Sequence, residues 1–120
     1  MARDHKKLLV FRMADPLIDD VYKASEQFPA AERFGLQSQL RRAAVSAASN
    51  IVEGCARRTT REYVNLLNVA AGSASEARYL LDVAHRLRFL PAPDHDSLTD
   101  RYTSLLKGLQ KLIQSLDGQP

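Results

Sequence analysis

Residues 36–54 read LQSQLRRAAVSAASNIVEG. Leu36, Leu40, Ala43, Ala47 and Ile51 recur at steps of three and four, which lays one apolar stripe along a helix. Val45, Ala48 and Val52 form a second stripe on a different side. One stripe serves a monomer's core, whereas two stripes imply burial on two sides. The segment therefore predicts a helix packed inside its own bundle and against another chain. Val45, Ala48 and Val52 are the candidate oligomer interface, and Gly54 offers a C-terminal stop.

Working outward, three more helices are expected, at about 14–27, 60–90 and 96–116. Asp15 followed by Pro16 has the form of an N-cap with proline in the first turn. An alternative start near Lys7 places Pro16 inside the helix and kinks it. Thr59 or Thr60 caps the third helix, whose stripe runs through Tyr63, Leu66, Leu67, Ala70, Ala74, Ala77, Leu81, Ala84 and Leu87. Its middle, AAGSASEA (70–77), is nearly all small, and Gly72 there costs roughly 1 kcal/mol against alanine. Close approach of a neighbouring helix is a reason to tolerate that cost. Pro91 and Pro93 end this helix, and Leu98, Tyr102, Leu105, Leu109 and Leu112 give the stripe of the fourth. Short connections make consecutive helices antiparallel neighbours. The expected fold is all-α, a single domain over 1–120, built as an antiparallel up-down-up-down four-helix bundle.

Composition agrees with a helical globule. Among 120 residues, 45% are hydrophobic and only 7% aromatic, with no tryptophan, a balance that disfavours a sheet. Cys55 is the single cysteine, so no intrachain disulfide forms, which fits a reducing compartment. The start, MARDHKKLLVFRMAD, has the form of no signal peptide, and no apolar run reaches the ~20 residues that span a bilayer. A cytoplasmic location without membrane association is expected. The net charge of +3 permits nucleic-acid binding without demanding it.

A search for chemistry returns little. The sequence has no glycine-rich phosphate loop, no paired-histidine metal motif and no Cys-x-x-Cys. His5, His85 and His95 are scattered. No catalytic residues, metal or cofactor are expected, and the chain is read as a non-enzyme. Two features stand out. Ser46, Asn50 and Glu53 share one face of the second helix, and with Ser73 and Glu76 of the third they form a candidate structural polar network. Arg41 and Arg42 on the second helix, with Arg57, Arg58 and Arg61 at the turn into the third, form a candidate nucleic-acid-binding set. Lys6, Lys7 and Arg12 are positioned by sequence to add to it. Arginine is a permanently charged, bidentate phosphate ligand. No aromatic platform is interleaved, so such binding leans on phosphates and reads sequence weakly.

The same stretch carries a family resemblance. Gln39 with Arg41, Arg42 and Ala43, then Ser46, Asn50-Ile51 and Glu53-Gly54, then Tyr63 and Gly72-Ser73 with Glu76, resemble the 23S rRNA intervening-sequence proteins. Phe28-Pro29 and Gly35-Leu36 also match. The resemblance runs from about Val10 to Leu116. Ala47 and Ala48 depart from it, standing where many members have Ile and Pro. It implies a four-helix bundle assembling as a ring-like homo-oligomer, typically a pentamer. It also implies kinship with the accessory proteins of diversity-generating retroelements, which contact nucleic acid and enzyme through basic surface. The expected function is a non-enzymatic homo-oligomer that binds RNA or a nucleic-acid-processing protein. The rival expectation is a structural scaffold for another protein, in which the arginines only solubilise.

Overall fold

The computed structural model describes residues 3–117. It holds four helices, α1 (Leu9–Ser25), α2 (Leu36–Cys55), α3 (Thr60–Arg86) and α4 (Ala92–Leu116), with 3-10 turns at His5–Lys7 and Ala30–Glu32. Among the described residues there is no strand. α1 packs on α2, α2 on α3, α3 on α4 and α4 on α1, and the backbones of the diagonal pairs do not approach closely among the described residues. The helices thus stand at the corners of a square, in a body of 48 × 23 × 19 Å. Contacts run in opposite numerical order along paired helices: Gln39 meets Glu76, Ser46 meets Ser73, Arg78 meets Thr103 and Asp82 meets His95.

The apolar stripes meet at the centre. Leu17, Val21, Leu40, Ile51, Leu67, Leu81, Leu105 and Leu109 are buried almost completely. Each such side chain contributes about 1.5–3 kcal/mol by leaving water. Ala70, Ala74 and Ala77 are buried too, so the small middle of α3 faces its own bundle. Gly72 does not: a Cβ there would meet nothing within 4 Å. The expectation that Gly72 itself admits a neighbouring helix fails within this chain.

Four boundaries differ from the expected ones, each for a physical reason. α1 begins at Leu9, and Pro16 lies inside it on the exposed side. An interior proline costs about 3 kcal/mol. Burial of Val10 and Ala14, with Phe11 and Met13 packed partly against the core, is of the same size and offsets it. α2 continues through Gly54 to Cys55. A Cβ on Gly54 would stand 3.1 Å from Tyr63 Cδ1 and 3.3 Å from Leu66 Cβ, so the glycine serves close α2–α3 approach and is no stop. α3 ends at Arg86, where Arg88 takes a left-handed φ of 65°. There the Arg88 N–H donates to the His85 carbonyl and the Phe89 N–H to the Ala84 carbonyl, the pattern of a Schellman cap. α4 begins at Ala92, ahead of the expected Asp96, because Pro93 sits in the first turn, where a missing N–H costs no hydrogen bond.

The second stripe of α2 divides. Ala48 is 4% exposed and belongs to the chain's own core, Val52 is half-buried and Val45 is exposed. A corner helix has two neighbours, here α1 and α3, so two apolar sides need no second chain to explain them. Ala48 is therefore withdrawn from the candidate interface.

Candidate nucleic-acid interface

The five arginines do not form one cluster. About 22 Å of helix separates Arg42 from Arg57 at 1.5 Å per residue. Arg41 is tied down. Its Nε donates to Ser25 Oγ at 2.8 Å and its Nη2 to the Tyr22 carbonyl at 3.1 Å, with the guanidinium 4.5 Å from the centroid of the Tyr22 ring. It joins α1 to α2 through two of its five N–H donors. Arg42 is exposed on the flank of α2.

The turn between α2 and α3 holds the other three. Arg57 pairs with Glu53 one helical turn back, at 2.7 Å. Arg58 and Arg61 are exposed, and no ion pair reaches either among the described residues. Thr59 caps α3: its Oγ1 accepts from the Glu62 N–H at 3.1 Å and donates to Glu62 Oε1 at 2.9 Å. This N-cap fixes the start of α3, with Arg58 just before it and Arg61 in its first turn. The N-terminal segment adds to the same end. The Arg3 N–H donates to the Cys55 carbonyl at 2.8 Å, and its guanidinium lies 4.0 Å from the centroid of the Tyr63 ring. Lys6 and Lys7, both exposed, follow in the 3-10 turn, which packs on α1 and α2. Arg12 lies elsewhere, beside Pro16, Arg101 and Ser104. One end of the bundle thus gathers Arg3, Lys6, Lys7, Arg57, Arg58 and Arg61 against Asp4, Glu53 and Glu62.

The polar set is resolved in part. Ser46 Oγ and Ser73 Oγ lie 2.8 Å apart across α2 and α3. Asn50 Nδ2 donates to the Ser46 carbonyl at 2.8 Å and to Ser46 Oγ at 3.0 Å. Glu76 accepts from Gln39 Nε2 at 3.2 Å, and Glu53 is turned toward Arg57, so neither carboxylate joins the serine–asparagine group. Both are exposed, and water solvates them better than a half-buried seam of hydroxyls would.

The chain matches the family model described as 23S rRNA-intervening sequence protein over residues 6–111. It belongs to that family. None of the curated proteins compared with it matches. A crystal structure from Bacteroides thetaiotaomicron, described as a protein with unknown function from the S23 ribosomal protein family, shares the fold with a TM-score of 0.80. It is 22% identical, and the match covers 88% of this chain and 99% of that one. Membership agrees with the fold and with the motif residues of α2 and α3. It names a place in rRNA genes rather than an activity.

Sequence reasoning missed a further cluster at the opposite end. His95 lies between Asp82 and Asp96 and stacks on His85, ring centroids 4.6 Å apart. The only sequence signal was the pair His95-Asp96, since Asp82 and His85 come from another helix. Hydrogen bonds to Asp82, and next to Asp96, raise the His95 pKa above its ordinary value. Among the described residues no group of three or more His, Cys, Asp or Glu side chains is placed to hold a metal ion. Cys55 is buried, and burial pushes its thiol pKa up, away from nucleophilic character. No helix among the described residues is long and apolar enough to cross a membrane.

Proposed function

We propose that this protein is a non-enzymatic, up-down-up-down helical bundle that assembles as a ring-like homo-oligomer of five subunits and binds structured RNA, alone or within a nucleoprotein, in the cytoplasm. The observation that carries the reading is the basic end of the bundle, where Arg58 and Arg61 flank the Thr59 cap, exposed and without ion pairs among the described residues, and Lys6 and Lys7 are exposed as well. The family's association with rRNA insertions supports it. One subunit offers few phosphate contacts. A ring repeats them, and linked contacts raise one another's effective concentration. Arg42 stands apart, further along α2, and two of Arg41's five N–H donors are taken by α1.

The test is an anisotropy titration of structured RNA at low and moderate salt. Log affinity is expected to fall against log salt by roughly 0.7 per phosphate for single-stranded segments. Changing Arg58 and Arg61 together to Glu is expected to abolish binding and leave melting unchanged. Equal affinity in both proteins, or none in the wild type at low salt, would favour a scaffold that binds another protein.

A further inference from the structure

The edge between α3 and α4 carries a groove that the basic end does not use. It encloses about 600 Å³, and no carboxylate lines it. Ala71, Leu106 and Ile113 supply its apolar part, and Arg78 and Lys107 its charge. Arg78 donates to Thr103 Oγ1 at 3.3 Å, whereas Lys107 is exposed and has no ion pair among the described residues. Lining positions 68, 71, 75 and 78 recur at helical spacing on α3, so the groove follows that helix for about 15 Å, nearly three turns.

The square arrangement puts the α1–α2 edge opposite. Its surface mixes apolar side chains with a pair of acids, and Arg12 and Lys23 are exposed on α1 at either end of that pair. Tyr22 is 40% exposed and Val45 39%. Arg41 against Tyr22 sets the register there, which brings Ile18 level with Val45. Asp15 and Asp19 stand beside this strip, one turn apart, exposed and without ion pairs among the described residues. Asp20, in contrast, is held by Arg101 at 2.7 Å.

We propose that the Asp15–Asp19 strip of α1 in one copy seats in the basic α3–α4 groove of the next, with Asp15 answering Lys107 and Asp19 answering Arg78. The inference rests on the homo-oligomer reading above and names the surfaces that build it. Heights along the bundle agree. Gly108 faces Val10 and Arg101 pairs with Asp20, so Asp15 and Asp19 stand within about one helical turn of Lys107 and of Thr103, which Arg78 reaches. Copies standing parallel, side by side, therefore bring the charges together. A two-fold contact does not, because it would set the groove's cations against a second copy's cations. Unlike faces must meet, and head-to-tail contacts close into rings.

The experiment is light scattering of the full chain at micromolar concentration, with circular dichroism as the fold check. Lys107→Glu and Asp15→Lys lie at exposed positions outside the basic end. Each alone is expected to raise the dissociation constant at least tenfold and shift the population toward the 13.4 kDa monomer. The double variant D15K/K107E, which exchanges the two charges that face each other, is expected to restore assembly, and Asp19→Lys serves as the second single variant if Asp15→Lys melts early. An assembled wild type whose single variants assemble equally well overturns this interface and leaves the oligomer reading standing. So does a double variant that stays dissociated. A monomeric wild type overturns both.

Discussion

His95 Nε2 lies 2.7 Å from Asp82 Oδ1, and this pair ties the first turn of α4 to the last turns of α3. Asp96 holds the other ring nitrogen at 2.8 Å, His85 covers one face, and nearby Asp94 is engaged by Gln27. The charged imidazole is favoured, so the folded pKa lies above the ordinary 6.5. A raised folded pKa gives stability that is complete below the unfolded value and lost as pH rises through the folded one. Melting temperature is therefore expected to fall as pH rises above about 6.5. Asp82 is 58% exposed, which limits the effect to about 1 kcal/mol or less. Thermal melts of wild type and His95→Gln across that range check it, and the same slope in both would refute the assignment.

Two glycines are expected to respond in opposite directions. Gly54→Ala forces a methyl against Tyr63 and Leu66 and is expected to cost about 1–3 kcal/mol. Gly72→Ala meets open space and is expected to stabilise the isolated chain by about 0.5–1 kcal/mol through helix propensity. Urea denaturation of both variants decides, and a stable Gly54→Ala would mean that α2 and α3 separate there at little cost.

The Ser46–Ser73 hydrogen bond is a half-buried polar link across the α2–α3 seam. A double-mutant cycle with Ser46→Ala and Ser73→Ala is expected to give a coupling of about 0.5–1.5 kcal/mol. Asn50→Ala removes two donors to Ser46 but leaves that link in place, so its cost is expected near 1 kcal/mol. Zero coupling would mean that the hydroxyls prefer water.

Arg88 holds a left-handed backbone at the end of α3. Glycine adopts that conformation without the Cβ penalty, so Arg88→Gly is expected to raise stability by about 1 kcal/mol. A lower melting temperature would show that the arginine side chain contributes more than its backbone costs.

Much of the fold was legible because helical spacing is a direct record of burial. Leu40, Ile51, Leu67, Leu81, Leu105 and Leu109 all sit where their stripes placed them. The ends were less legible. Pro16 reads as a start because local rules see the missing N–H and not the burial of Val10 beyond it. The candidate interface was half visible. Sequence distance put Arg41 with the other arginines, but its partners Tyr22 and Ser25 come from α1, and no periodicity announces a side chain captured across a seam. The His95 cluster and the α3–α4 groove were hidden for the same reason, since each is made by two helices whose register only packing sets.

The square in which each helix backbone lies closest to its two flanking neighbours also bears on how the chain reaches that state. Three of its four packed edges join helices that follow one another in sequence, and only the α1–α4 edge closes over a long span. Low contact order of this kind goes with folding in microseconds to milliseconds. The α2–α3 hairpin, with the glycine approach at its base and the serine pair midway, can form before either outer helix docks. Stopped-flow refolding is then expected to be fast, with substitutions in the hairpin slowing folding and substitutions along the α1–α4 edge mainly quickening unfolding.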